Sequence, residues 1–299
     1  MAESKIQNLR HTAWRTRQSV WRAKSKISAW PVLRGLRIGF VGAGTMGQAL
    51  IQGLMAQGVP CRLLGAADAN MKTRHTVRAR FGIWTTADNT ALAERSDVII
   101  LAVKPQQCPE VARQLAGSLN RRHLVISIAA GVTLRWLVAR LPGVPIARVM
   151  PNLPSTVGCG FAGISAGRGA TRRHRDIALA IFGSVGAAVE LPERHLNAVT
   201  AVSGSGPAYV FFLVEALERA ARSLGLPAPV ASAAVRWTLE GSVRLLEASG
   251  VSPAELISRV ASKRGTTEAA LAVLERRRVA AHVIEALRAA ERRARELNV

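Results

Sequence analysis

A short apolar run, residues 36–41, is closed by Gly42-Ala43-Gly44-Thr45-Met46-Gly47, and a helical pattern follows over residues 45–56. Few sequence features constrain a fold as tightly as glycines at this spacing between a strand and a helix. The first glycine permits the tight turn, the second lets backbone approach a pyrophosphate, and the third lets the helix pack on the strand. Phosphates then meet free N–H groups at a helix N-terminus. The expectation is a dinucleotide site built on Gly42, Ala43, Gly44, Thr45, Met46 and Gly47, with a merely structural turn as the plain alternative. Asp68 stands at the end of the second expected strand. An acid there suits the ribose hydroxyls of NAD(H), or caps the next helix. Lys72 and Arg74, just beyond, suit the extra phosphate of NADP(H). NADP(H) is put first, and NAD(H) stays open.

The rest of the chain extends this pattern. Further strands are expected at residues 62–67, 97–103, 124–128, 146–149, 161–165 and 187–191, with helices ending at Phe81 and spanning 134–141. Unbroken apolar strands alternating with helices indicate a parallel sheet covered on both faces. The fold class is therefore α/β: a doubly wound, mostly parallel, Rossmann-like sheet. After Pro192 the pattern is helical only, at residues 208–224, 229–249, 253–261 and 267–297. Residues 37–192 are expected to form the dinucleotide-binding domain. Residues 193–299 are expected to form an all-α domain, whose apolar faces call for a second subunit. Residues 1–36 hold eight Lys/Arg, one acid, and Trp14, Trp21 and Trp30. They are expected to be a flexible basic extension; an amphipathic membrane-surface helix or a transit peptide are the alternatives.

Composition narrows the function. The net charge of +22 invites nucleic-acid binding, yet the arginines are scattered and no aromatic-interleaved module accompanies them. Nucleic acid is not the expected partner. Cys61, Cys108 and Cys159 are far apart, with no CxxC and no histidine at ligand spacing, so no structural metal is expected. No apolar run reaches the roughly 18 residues of a membrane span.

Four segments carry a resemblance. They are Ala102-Val103-Lys104-Pro105-Gln106, Ser127-Ile128-Ala129-Ala130-Gly131-Val132, Arg148-Val149-Met150-Pro151-Asn152-Leu153-Pro154, and residues 198–209, which include Ser203-Gly204-Ser205-Gly206-Pro207-Ala208-Tyr209. In order and spacing they resemble the pyrroline-5-carboxylate reductases over residues 37–297. The resemblance implies a soluble cytoplasmic enzyme that reduces 1-pyrroline-5-carboxylate to L-proline, as a homodimer through its C-terminal helices or a higher oligomer. It implies cofactor contacts from the glycine turn, Asn89, Ala102, Val103, Lys104, Pro105, Ala129, Ala130 and Gly131. It places a small-molecule substrate over the nicotinamide, against Ser203, Gly204, Gly206, Pro207, Gly265 and Thr266. Thr267 would orient the imine nitrogen, and Ser205 would shape the pocket.

One loop departs from the family. Its Ser-Pro-Gly-Gly-x-Thr reads Ser262-Lys263-Arg264-Gly265-Thr266-Thr267 here. Arg264 strains the turn if that position needs positive φ, while two cations strengthen an anion site. Two other readings stand beside the resemblance. A β-hydroxyacid dehydrogenase would use a helical-domain lysine as acid/base; the only lysine after Pro192 is Lys263, in a loop. A catalytically altered paralogue would bind the dinucleotide and reduce another cyclic imine, or act as a binding protein. His123, His195 and His282 lie in no motif, which fits a reaction whose hydride comes from the cofactor.

Overall fold

The structure, a computed structural model, describes residues 30–299, so the expectations for the tail up to residue 29 lie outside the described residues. The described residues form two compact units. One runs to Pro207 and takes in Ala289–Val299; the other is Ala208–Arg288.

In the first unit the strands are β1 (Ile38–Val41), β2 (Leu64–Ala67), β3 (Trp84–Thr86), β4 (Val98–Leu101), β5 (Leu124–Ser127), β6 (Ile146–Met150), β7 (Gly160–Ala166) and β8 (Gly186–Glu190). They make one sheet in the order β3-β2-β1-β4-β5-β6-β7-β8. Every neighbouring pair is parallel except β6 and β7. The order reverses direction between β1 and β4, the switch point at which open α/β sheets hold their ligands.

The strands read as continuous apolar runs because both faces are covered. Phe40, Ile100 and Ile126 face α1 (Thr45–Ala56) and α6 (Arg172–Gly183), packing on Leu50, Ile51, Ile181 and Phe182. Their neighbours Val41, Leu101 and Val125 turn to the other face, with α4 (Cys108–Leu115) and α5 (Leu134–Arg140), among Val111, Leu115 and Leu137. Between these elements lie α2 (Met71–Phe81) and α3 (Asn89–Glu94). Leu33, within the stretch expected to lie outside the fold, is fully buried in the first core. Four elements were not individually expected: β3 and α3 are too short to show a period, whereas α4 and α6 are amphipathic, burying Val111 and Leu115 and Ile177 and Ile181 at helical spacing.

Besides two four-residue helices, Trp30–Leu33 and Leu196–Val199, the remaining helices are α7 (Gly206–Ser223), α8 (Ala228–Ser249), α9 (Pro253–Val260), α10 (Thr266–Arg276) and α11 (Val279–Glu296). The single helix expected over residues 267–297 is broken at Arg277-Arg278. Arg278 takes φ 52, so no glycine or proline announces the break. Helical turns before α7 join it into one run, Glu193–Ser223, which contains an 18-residue window of mean hydropathy 1.2 and so is long and apolar enough to cross a membrane by length and composition alone. Phe212 and Trp237 are each more than 70% exposed, large apolar surfaces of the kind that a second subunit covers.

Charge is arranged at the amino edge of the sheet. Arg37 donates to Asp97 at 2.8 Å and 3.1 Å, and this hydrogen bonding holds the Asp97 carboxyl below its usual range. His123 is buried, which lowers its pKa; the Asn120 amide and Asp97 push it back up, while Arg122 and Arg37 add to the lowering. Both shifts are depressions. Each group's contribution is therefore present above its unfolded pKa and lost as pH falls through the folded value. Unfolding by urea is expected to become easier as pH drops below about 6.5, the ordinary histidine value, with a further loss below about 4 from Asp97. His123→Gln is expected to flatten the first step, and an unaltered pH profile would remove His123 as its source.

Candidate active site

Five loops reach one edge of the sheet because five parallel strands end there. The ladder runs on past the strand ends: Gly42 N donates to Ala67 O at 2.8 Å, Ala102 N to Val41 O at 2.7 Å, and Asp68 N to Thr86 O at 3.2 Å. Gly42–Gly47, Asp68, Asn89, Ala102–Pro105 and Ala129–Gly131 thus lie along the carboxyl ends of β1 to β5. They are brought together from positions as far apart as 42 and 131.

The glycine turn shows what each glycine does. Gly42 has φ 93, and a Cβ there would lie 2.6 Å from Ala102 O. A Cβ on Gly47 would lie 2.7 Å from Gly42 O, so this glycine lets α1 sit against the turn. A Cβ on Gly44 would meet nothing within 4 Å. That space is open, and no side chain caps the first turn of α1, whose N-cap is Gly44. The uncapped amides at the start of α1, beside a glycine with no Cβ, fit a pyrophosphate.

Asp68 is not the helix cap. Asn70 caps α2, accepting from Lys72 N and Thr73 N. The Asp68 carboxylate instead accepts from Ala43 N at 2.9 Å and from Asn70 N at 2.9 Å, and so ties the glycine turn to the end of β2. Arg74 is fixed beside it, donating through Nη1 to Asp68 O at 2.7 Å and Ala69 O at 3.0 Å. Asn89 opens α3 and donates to Gln114 Oε1 at 2.7 Å. Lys104-Pro105 leaves β4; Lys104 is exposed, and its N–H donates to Gln107 Oε1 at 3.1 Å.

The Ser203–Pro207 segment reaches the same edge through β6. Residues Thr200–Gly204 form a π-turn immediately before α7. Such bulges insert one residue into a helix and recur at functional sites. A Cβ on Gly204 would lie 2.5 Å from Met150 Cε, so the turn packs against the methionine that ends β6. Asn152, just beyond β6, donates to Ser203 Oγ at 3.0 Å and accepts from Phe161 N at 2.9 Å. Its place in the Met-Pro-Asn-Leu-Pro segment was visible in the sequence, but its task was not. No side chain holds the Ser205 hydroxyl among the described residues, and Pro207 falls in the first turn of α7.

Gly265, Thr266 and Thr267 belong to the second unit. Gly265 is the N-cap of α10, and no side chain caps that first turn. Thr267 is half-buried, while Lys263 and Arg264 are exposed. Arg264 has φ 59, the left-handed region, and its N–H is held by the Glu268 carboxylate. The anticipated strain is therefore present. A non-glycine residue in this region costs roughly 1 kcal/mol. Arg264→Gly is expected to raise the urea midpoint by the equivalent of about that amount; an unchanged midpoint would show that the Glu268 contact absorbs the strain.

A doubly wound sheet with an open glycine cradle at its switch point defines a dinucleotide-dependent oxidoreductase. Comparison with known proteins agrees. Residues 37–131 match the family described as NADP oxidoreductase, coenzyme F420-dependent, and residues 193–297 match pyrroline-5-carboxylate reductase dimerisation. The chain is 40% identical to pyrroline-5-carboxylate reductase of Pseudomonas aeruginosa over 87% of its own length and 96% of the relative's. It is 38% identical to that of Methanosarcina acetivorans, over 87% and 97%. A solved pyrroline-5-carboxylate reductase of Coxiella burnetii superposes with a TM-score of 0.84 at 35% identity, covering 88% of this chain and 99% of that one. The Plasmodium falciparum enzyme with NADP bound gives 0.80 at 28% identity, covering 89% and 99%. The chain belongs to the pyrroline-5-carboxylate reductase family. It is an NAD(P)-dependent reductase that forms homo-oligomers and acts on a small molecule.

Proposed function

We propose that the protein transfers hydride from NADPH to 1-pyrroline-5-carboxylate and releases L-proline, the last step of proline biosynthesis. The observation that carries this reading is the match of residues 193–297 to the reductase dimerisation region, in a chain whose other half opens on a strand, an uncapped glycine turn and a helix. The nicotinamide supplies the hydride when bound, so the chain's own task is to bind, align and exclude water. The amides at the start of α1 hold the pyrophosphate, and the turns after β3, β4 and β5 line the rest of the dinucleotide. NADP(H) is preferred over NAD(H) because both Asp68 oxygens already hold backbone amides, while Arg74 is fixed at the same loop as a ready cation.

The amides of Thr266 and Thr267, which no side chain caps, hold the substrate carboxylate, with Lys263 and Arg264 adding positive charge, while the Gly265 amide shapes the loop by donating to Ser262 O at 3.0 Å. The Thr267 hydroxyl orients the imine nitrogen. Ser205 and the Ser203–Pro207 turn shape the pocket, and Asn152 fixes Ser203. The exposed apolar residues of α7 and α8 form a homodimer interface through the C-terminal helices, and a higher oligomer builds on that dimer. A cytoplasmic location goes with this role.

The test is oxidation of NADPH and of NADH, followed by absorbance, with and without 1-pyrroline-5-carboxylate. Substrate-dependent oxidation with proline as product is expected, faster with NADPH. Dinucleotide binding without oxidation would overturn the reaction, and a preference for NADH would overturn the role given to Arg74. Thr267→Ala is expected to lower kcat/KM by roughly 10- to 100-fold, the worth of one hydrogen bond at the reacting group. An unchanged value would remove Thr267 from the mechanism.

A further inference from the structure

The turn after β5 is held by the last residues of the chain as well as by its own strand. Val299 N donates to Gly131 O at 2.9 Å, and the Thr133 hydroxyl donates to Val299 O at 2.6 Å. Gly131 has φ 78, and a Cβ there would lie 2.4 Å from Leu297 O. Glycine is thus required both by the turn and by the segment lying across it. That segment is anchored in turn by Asn298. Its Oδ1 accepts from Arg148 Nη2 at 3.2 Å, and its Nδ2 donates to Asn197 Oδ1 at 3.3 Å. Arg148, almost fully buried on β6, pairs with Glu193 at 2.9 Å. The same Glu193 oxygen accepts from Leu134 N at 2.8 Å, at the start of α5. The exit of the Ala129–Gly131 turn, from Gly131 to Leu134, is therefore held by groups that touch one another.

We propose that residues 297–299 are a strap that fixes the Ala129–Gly131 turn, with Asn298 as the positioning residue, and so set affinity for the nicotinamide half of the cofactor. This rests on the reading that the turn lines the dinucleotide. Asp68 and Arg74 mark the β2 side of the switch point as the adenosine side, so β4 and β5 serve the other half. A strap acting on the β5 turn acts on that half alone.

The experiment measures dissociation constants of NADPH and of ADP-ribose, which lacks the nicotinamide, for the full chain and for Asn298→Ala and Asn298→Asp. Asn298→Ala is expected to weaken NADPH about 3- to 10-fold and to leave ADP-ribose unchanged. Asn298→Asp keeps the acceptor for Arg148 and is expected to recover most of the loss. An NADPH affinity within twofold of the parent in Asn298→Ala would overturn the strap. Equal weakening of both ligands would overturn it too, since that marks general loosening. Neither readout needs turnover, so a failed reductase assay and a failed strap are separate results.

Discussion

Gly44→Val is expected to leave the fold intact and to remove dinucleotide binding. Gly44 has φ −72 and ψ −165, an extended conformation that valine adopts without strain. Its Cβ would enter open space, with no protein atom within 4 Å. The thermal midpoint should therefore stay close to that of the parent. The same space is where a pyrophosphate must approach the uncapped amides of α1. Blocking it forfeits at least two charge-assisted hydrogen bonds of about 1.5–3 kcal/mol each, which amounts to a roughly 100-fold or greater loss of affinity. Gly42→Ala is the contrasting variant. At φ 93, with Ala102 O only 2.6 Å from the new Cβ, it must move backbone, so stability and binding fall together. NADPH titration beside thermal unfolding separates the two. Full-strength binding by Gly44→Val would show that the pyrophosphate lies elsewhere.

The second large effect is expected at Arg148→Ala. The guanidinium is 7% exposed and holds Glu193, itself 31% exposed, together with Asn298. Breaking a buried pair costs about 3–5 kcal/mol because the remaining charge is stranded. Glu193 keeps some access to water, so a value near the lower end, about 3 kcal/mol, is expected. At about 2–4 °C per kcal/mol for a domain of this size, the midpoint falls by roughly 6–12 °C. The double variant Arg148→Met with Glu193→Leu removes both charges and is expected to regain much of the loss. If the double variant is no more stable than Arg148→Ala, the cost lies in packing and the ion pair contributes little.

Much of the fold was legible because its code is local. The strands β1, β4, β5 and β6 announced themselves as apolar runs, and the fingerprint fixed where α1 begins. What escaped had weak or misleading local signals. The three-residue β3 has no room for periodicity. The break before α11 is made by an arginine in the left-handed region, which no turn residue marks. Leu33 looks like part of a basic tail, and only its neighbours in the core show otherwise. At the site, Gly42 and Gly47 could be assigned by rule, whereas Asp68 could not. A ribose ligand and a helix cap ask for the same residue, and only the tertiary placement of Ala43 N reveals that it braces the glycine turn.

The sequence by itself determined the family, the strand–turn–helix around the glycine fingerprint, and the order of the segments along the carboxyl edge of the sheet, because each depends on residues adjacent in the chain. The tertiary structure alone decided which distant groups meet: Asn152 with Ser203, Arg148 with Glu193 and Asn298, and the last residues of the chain with Gly131. These pairs are set by the stacking order of parallel strands and by side chains reaching between loops at their ends. Such contacts have no period and no fixed spacing, so no local pattern in the chain records them.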